Sequence, residues 1–203
     1  MIVTIASFKG GVGKSTTSIH LASYFSNEGK NKVLLLDGNA NRSVSNWATR
    51  GKFPFKVADE RQAAKYSRDA DRIVIDTAAR PNEEDLKTLA EGCDLLILPC
   101  VPDVLSLEAM MLTVETLKKL NSNSYKILLT IVPPKPNRDG DEARKSLLKA
   151  GLPLFDSSIR RFQVYKKAAL LGVPVDRVND RYSKIAWKDY QDVCKEIEEL
   201  QYV

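Results

Sequence analysis

Two lysines five residues apart, Lys9 and Lys14, bracket a glycine-rich stretch in "SFKGGVGKSTT", Ser7 to Thr17. Gly10, Gly11 and Gly13 free the backbone to curl, so that successive N–H groups point into one concavity. A helix starting near Lys14 adds further unpaired N–H groups and the positive end of its dipole. A cradle of this kind takes phosphate. Lys14 would reach the β- and γ-phosphates, and the Ser15 hydroxyl would ligate Mg²⁺. The candidate nucleotide-binding set is Lys9, Gly10, Gly11, Val12, Gly13, Lys14, Ser15 and Thr16. Two carboxylates could complete the site. Asp76 ends the apolar run of "RIVIDTAARP" and Asp37 ends that of "LLLDGNANRSVSNW". An aspartate at the C-terminal edge of a parallel strand is well placed to hold a cation and its waters. The candidate metal ligands are therefore Ser15, Asp37 and Asp76. One lysine suffices to bind a phosphate, and the second needs its own explanation.

These residues must be positioned by alternating strands and helices. Ile2–Ala6, Val33–Leu36, Ile73–Ile75, Leu95–Leu98 and Ile127–Ile131 are almost wholly apolar, as strands covered on both faces are. Helical patterns lie between and after them, at Lys14–Ser26, Ser43–Thr49, Glu83–Ala90, Ser106–Leu120, Asp141–Ala150 and Tyr182–Leu200. In Ser106–Leu120 the apolar residues Leu107, Met110, Met111, Val114 and Leu117 recur at three and four. Met110 and Met111 are expected in the core. The last helix is expected to bury Ile185, Trp187, Val193, Ile197 and Leu200. Repeated βα units give an α/β fold with a mostly parallel twisted sheet and helices on both faces. With 203 residues and no low-complexity linker, one domain spanning 1–203 is expected.

Composition narrows the function classes. The chain is 43% hydrophobic and 28% charged, within the range of ordinary globular proteins. No stretch approaches the roughly 20 apolar residues of a membrane span, and the N-terminus lacks a signal-peptide pattern. Cys93, Cys100 and Cys194 have no paired spacing, which suits buried thiols in a reducing cytoplasm. The net charge of +5 is unevenly spread. Lys135 to Lys188 holds 13 Lys/Arg against 6 Asp/Glu, whereas Asp189 to Val203 holds 1 against 5. Candidate DNA-binding cations are Arg144, Lys145, Lys149, Arg160, Arg161, Lys166, Lys167, Lys184 and Lys188. Lys145 with Lys149, and Lys184 with Lys188, each share one helix face. His20, the only histidine, reads as a packing or surface residue rather than a catalyst. Trp47 and Trp187 read as core or interface anchors.

The usual phosphate loop is G-x-x-x-x-G-K-[ST]. Here Phe8 holds the place of the first glycine and Lys9 follows it. This K-G-G-x-G-K-[ST] form resembles the deviant Walker loop of the ParA/MinD family of P-loop NTPases. Asp76 resembles that family's Walker B aspartate. "CDLLILPCVPDVLSLEA" and "FDSSIRRFQVYKKAALLGVPV" resemble its later segments, so the likeness spans nearly the whole chain. The short chain is similar to the small, ParF-like partition ATPases, a size shared by the McdA group that positions carboxysomes. The resemblance implies a homodimer closed face to face over two ATP molecules with Mg²⁺, in which Lys9 crosses to the other subunit's phosphates. It also implies nonspecific DNA binding in the ATP state, and a cargo-bound adaptor (ParB-like or McdB-like) that triggers hydrolysis. It implies a cytoplasmic, nucleoid-associated protein that positions a plasmid or a carboxysome. Val132 and Pro133 fall where the family lets backbone groups contact adenine, or else form a structural turn.

The departure is Asn39. The family commonly reads D-x-D-P, and its second aspartate orients the attacking water. Asp37-Gly38-Asn39-Ala40 keeps the shape but loses the charge, so Asn39 cannot act as a base. Catalysis would thus rest on Lys9, Lys14 and Asn39, with ATP bound and hydrolysed slowly. A natural slow enzyme and a position altered to trap ATP both fit, and the otherwise intact motif favours the second. Two other readings stay open. One is a MinD-type membrane switch, which the acidic ending "DVCKEIEELQYV" disfavours. The other is a metabolic enzyme like the nitrogenase iron protein, whose shared cluster needs two thiolates per chain.

Overall fold

The computed structural model describes residues 1–26, 31–39 and 41–200. Its centre is a sheet of six strands, all parallel. They are β1 (Ile2–Ser7), β2 (Val33–Asp37), β3 (Lys56–Asp59), β4 (Arg72–Ala79), β5 (Leu95–Cys100) and β6 (Tyr125–Leu129), in the order β3-β2-β4-β1-β5-β6. The phosphate-loop sequence therefore leaves a central strand. In chain order the helices are α1 (Lys14–Ser26), α2 (Ser43–Ala48), α3 (Ala63–Tyr66), α4 (Glu83–Glu91), α5 (Val104–Lys119), α6 (Asp139–Lys149), α7 (Val164–Leu171) and α8 (Ser183–Glu199).

Period-two alternation along the strands splits the core into two layers. On one face Val3, Ile5, Leu35, Val74 and Ile97 pack under Ile19, Phe25, Trp47, Val164, Trp187 and Tyr190, from α1, α2, α7 and α8. On the other, Leu96, Leu98, Ile127 and Leu129 pack under Leu86, Met110, Val114, Leu117 and Leu147, from α4, α5 and α6. α4 starts at a reciprocal cap: Asn82 Oδ1 accepts from Asp85 N–H, and Asp85 Oδ2 accepts from Asn82 N–H.

α1 coincides with its expected span. β3 and α7 had no counterpart in the apolar patterning. β3 reads "KVAD", half exposed at the sheet edge, so it lacks the continuous apolar signal of the central strands. Three core expectations are corrected. Met111 is 37% exposed, Ile185 43% and Leu200 44%, while Met110, Trp47 and Trp187 are buried. On both helices the buried stripe is narrower than the run of apolar residues. β6 stops two residues early, because Ile131 adopts φ 54°, a left-handed conformation costly for a β-branched residue. Cys93, Cys100 and Cys194 are free; Cys100 and Cys194 are buried and Cys93 half-buried.

α2 is clamped to α7. Trp47 Nε1 donates to the Val173 carbonyl at 3.3 Å and Arg50 Nε to the Ala169 carbonyl at 2.9 Å. The two backbones cross at glycines: a Cβ on Gly51 would lie 2.4 Å from the Gly172 carbonyl oxygen.

Candidate nucleotide site

The loop from β1 to α1 has the conformation that its glycines anticipate. Gly11 and Gly13 take φ 77° and 89°, values open to glycine and strained for other residues. The far side of the loop is pinned by a residue that the sequence reading missed. Thr130, buried at the end of β6, donates its hydroxyl to the Val12 carbonyl at 2.8 Å. A lone threonine after a strand carries no signal of that role.

Lys14 is buried at the mouth of the loop, and burial lowers its pKa against the opposing pull of Asp76. Asp76 is fully buried beneath α1. Its Oδ2 accepts from Ser15 Oγ at 2.6 Å and its Oδ1 from Ser18 Oγ at 3.1 Å. Burial pushes its pKa up to about 6; the two serine hydroxyls and Lys14 oppose the rise, and Asp37 adds to it. β2 and β4 pair in register with Asp37 opposite Asp76, which brings two buried carboxylates and the Ser15 hydroxyl to one sheet edge. This set of hard oxygen donors fits Mg²⁺, and the raised Asp76 pKa marks a place where a cation would relieve both carboxylates. Asp37 is further committed locally. Its Oδ2 accepts from Ser45 N–H (2.8 Å) and Ser45 Oγ (2.7 Å), capping the first turn of α2, and its Oδ1 accepts from Asn39 N–H at 3.1 Å.

Asn39 sits just beyond this edge, half-buried, with its Oδ1 accepting from Asn41 N–H at 3.0 Å. Lys9 is turned elsewhere. Its Nζ donates to Asp103 Oδ1 at 2.9 Å and to Ser106 Oγ at 2.8 Å, at the N-terminus of α5, where Asp103 is the cap. Thr16 is tied to the core through His20, whose Nδ1 lies 2.6 Å from the Thr16 carbonyl while its Nε2 accepts from Val175 N–H at 3.0 Å. His20 is buried and stacked on Tyr190 at 4.6 Å. It is thus a packing residue, its pKa pushed down to about 4 by burial.

The backbone of Val132 is engaged within the chain, which leaves the Pro133 carbonyl as the group of this pair that could face adenine. Val132 N–H donates to the Ile159 carbonyl and its own carbonyl accepts from Arg161 N–H, and proline has no N–H to give. The cationic set does not form one plane. Lys145 and Lys149 are exposed on α6, in the helix layer with α4 and α5. Arg161, Lys166 and Lys184 are exposed in the segment of α7 and α8 on the opposite layer. Four cations are engaged within the chain. Arg160 makes a forked contact with buried Asp189, as close as 2.5 Å. Lys167 pairs with Asp180, Lys188 with Asp192 at 2.5 Å, and Arg144 donates to the Phe155 carbonyl. No helix among the described residues is long and apolar enough to cross a membrane.

The sequence matches the CobQ/CobB/MinD/ParA nucleotide binding domain over residues 3–175. It is 31% identical to the maintenance of carboxysome distribution protein A of Gloeobacter kilaueensis, over 97% of this chain and 94% of that one. Among solved structures, a plasmid partition protein of Borrelia burgdorferi bound to AMPPNP superposes with a TM-score of 0.71 at 22% identity, covering 96% of this chain and 98% of that one. The ATP complex of a Cyanothece McdA variant superposes with a TM-score of 0.67 at 16% identity, covering 100% and 96%. A match running from the first strand past α7, on an all-parallel sheet whose central strand opens into a phosphate cradle, places this chain in the CobQ/CobB/MinD/ParA nucleotide-binding family.

Proposed function

We propose that this protein is an ATP-switched ATPase that positions a carboxysome or a plasmid, working as a homodimer with two ATP molecules between its subunits. The reading rests above all on the two lysines. Lys14 lies inside the phosphate cradle with Ser15 and Asp76. Lys9 lies on its rim, held by a half-exposed ion pair to Asp103 that a second subunit could replace. In the dimer Lys9 of each copy stabilises charge on the other's γ-phosphate, as an arginine finger does. Ser15 and Asp76 would hold Mg²⁺, with Asp37 in support, and the ion would neutralise phosphate charge. Gly10, Gly11, Val12, Gly13 and Thr16 supply backbone to the nucleotide.

With Asn39 at the water-orienting position, hydrolysis is slow and the closed dimer is long-lived. In that state the exposed cations, chiefly Lys145, Lys149, Arg161, Lys166 and Lys184, bind DNA without sequence preference. Pairing doubles each of the two groups of cations, on α6 and on the α7–α8 side, so affinity rises on pairing and falls steeply with salt. A cargo-bound adaptor then promotes hydrolysis and release, in the cytoplasm over the nucleoid. The carboxysome and plasmid roles named for the relatives support this choice of cargo.

The test is sedimentation with and without Mg-ATP, followed by DNA binding in each state. Pairing that requires Mg-ATP and is lost in Lys9→Ala supports the proposal. A protein that stays monomeric with saturating Mg-ATP overturns it. Asn39→Asp should raise turnover by on the order of 100-fold, the usual worth of a positioned base.

A further inference from the structure

The two edges of the sheet are finished differently. At β6 the chain returns to cover the edge: Ile127 N–H donates to the Pro153 carbonyl, and the Ile127 carbonyl accepts from Phe155 N–H. β3 pairs with β2 alone. Beyond that ladder, the backbone of Lys56–Asp59 makes no hydrogen bond among the described residues. An edge strand in this state presents unpaired N–H and C=O groups to whatever chain can align with it.

Two cavities follow this edge from end to end. One, of about 750 Å³, lies at the start of β3 and is lined by Lys32, Phe53, Phe55, Lys56, Tyr66 and Asp69. The other, of about 610 Å³, lies along the rest of it and is lined by Arg42, Ser45, Val57, Ala58, Asp59 and Arg61. Each takes its walls from both faces of the sheet. Phe53, Phe55 and Val57 pack with the α1 layer, Tyr66 and Ala58 with the opposite one. Phe53 and Phe55 stack at 4.7 Å, and Lys56 Nζ rests 3.7 Å from the Tyr66 ring centroid, which holds its charge at the cavity wall. The charged lining is mainly cationic. Arg42 and Asp59 pair at 3.1 Å, whereas Lys32, Lys56 and Arg61 have no ion pair among the described residues and outnumber Asp69.

We propose that the β3 edge docks an extended acidic segment of a partner protein, which adds a strand to the sheet. Main-chain hydrogen bonds to β3 supply affinity. Side chains alternate along the added strand, so an apolar one enters the cavity of Phe53, Phe55 and Tyr66 while its acidic neighbours meet Lys32, Lys56 and Arg61. A second copy of this chain is the poorer occupant, because two β3 edges in contact set the same cations against each other. Two strands, β2 and β4, separate the groove from β1 and its phosphate loop, so the partner and a nucleotide do not compete for space.

The experiment measures fluorescence anisotropy of a labelled peptide, EEVFVEE, beside its lysine counterpart KKVFVKK and two forms of EEVFVEE that are N-methylated at alternate residues, one for each alternation. The proteins are wild type, Lys56→Glu combined with Arg61→Glu, and Lys118→Glu on α5 as a charge control. EEVFVEE should bind wild type and Lys118→Glu alike, and the double variant more weakly by on the order of 10-fold. KKVFVKK should bind wild type more weakly than EEVFVEE, and one of the two methylated forms should fail. Hydrogen exchange should slow at residues 53–62 when EEVFVEE is added. No binding of EEVFVEE, equal binding of KKVFVKK, full binding of both methylated forms, or protection confined to other residues overturns the proposal. Protection of the same amides that grows with protein concentration, without peptide, also overturns it and gives the edge to a second copy.

Discussion

Removing the charge of Asp76 should make the metal-free protein more stable. Asp76 is fully buried beside a second carboxylate, and its pKa of about 6 lies above its ordinary 3.8. A carboxyl whose pKa rises on folding opposes folding when ionised. The gap between the two values corresponds to about 3 kcal/mol above pH 7. That penalty shrinks as pH falls through 6 and vanishes below 3.8, where the group is protonated in both states. Asp76→Asn keeps the shape and leaves acceptor and donor atoms for Ser15 and Ser18, whose hydroxyls can reorient. Urea unfolding in chelator-containing buffer should therefore show Asp76→Asn more stable than wild type by up to about 3 kcal/mol near pH 7.5, with the advantage lost near pH 4. His20 titrates in both proteins, so the comparison subtracts it. Adding Mg-ATP should stabilise wild type and not the variant. A variant less stable at pH 7.5, or a gain that does not decline in acid, would refute the account of Asp76 as a strained, cation-seeking carboxylate.

Three further outcomes are expected. Asp103→Asn keeps the α5 cap but weakens the hold on Lys9; an exposed pair is worth up to about 1 kcal/mol, so the Mg-ATP dimer should form at a several-fold lower protein concentration by sedimentation. Gly51→Ala drives a methyl group into the Gly172 carbonyl and should cost about 1–3 kcal/mol in chemical denaturation. His20→Phe keeps an aromatic ring for stacking but strips Val175 N–H of its buried acceptor and the Thr16 carbonyl of its ring partner, a loss of about 1–3 kcal/mol. Because burial holds the His20 pKa near 4, below its ordinary 6.5, wild type loses stability as pH falls between those values, and the gap to His20→Phe should narrow there.

The central strands, α1 and the cradle were legible because each carries its own local signal: apolar runs, glycines at fixed offsets, a lysine-serine pair at a helix start. Asp37 was legible as a strand end; Asp76 was legible as the end of an apolar run, although β4 continues past it to Ala79. What escaped were features made by pairing across the chain. β3 is short and half exposed, so only its register with β2 defines it. Thr130 and His20 act through contacts more than a hundred residues away in sequence. The cationic list treated Arg160 like Lys145, because charge counts do not reveal that Asp189 lies beneath one of them. Met111 and Ile185 show the limit of periodicity: the stripe was visible, its width was not.

The clamp between α2 and α7 has a mechanical consequence. α2 is fixed at its start by Asp37, which caps Ser45, and just past its end by the Gly51–Gly172 crossing. A short rod pinned at both ends transmits a push without bending. Asp37, α2 and the end of α7 are thus tied in one continuous run of hydrogen bonds and close backbone contact, which joins the sheet edge to the helix that holds Lys166 and Lys167.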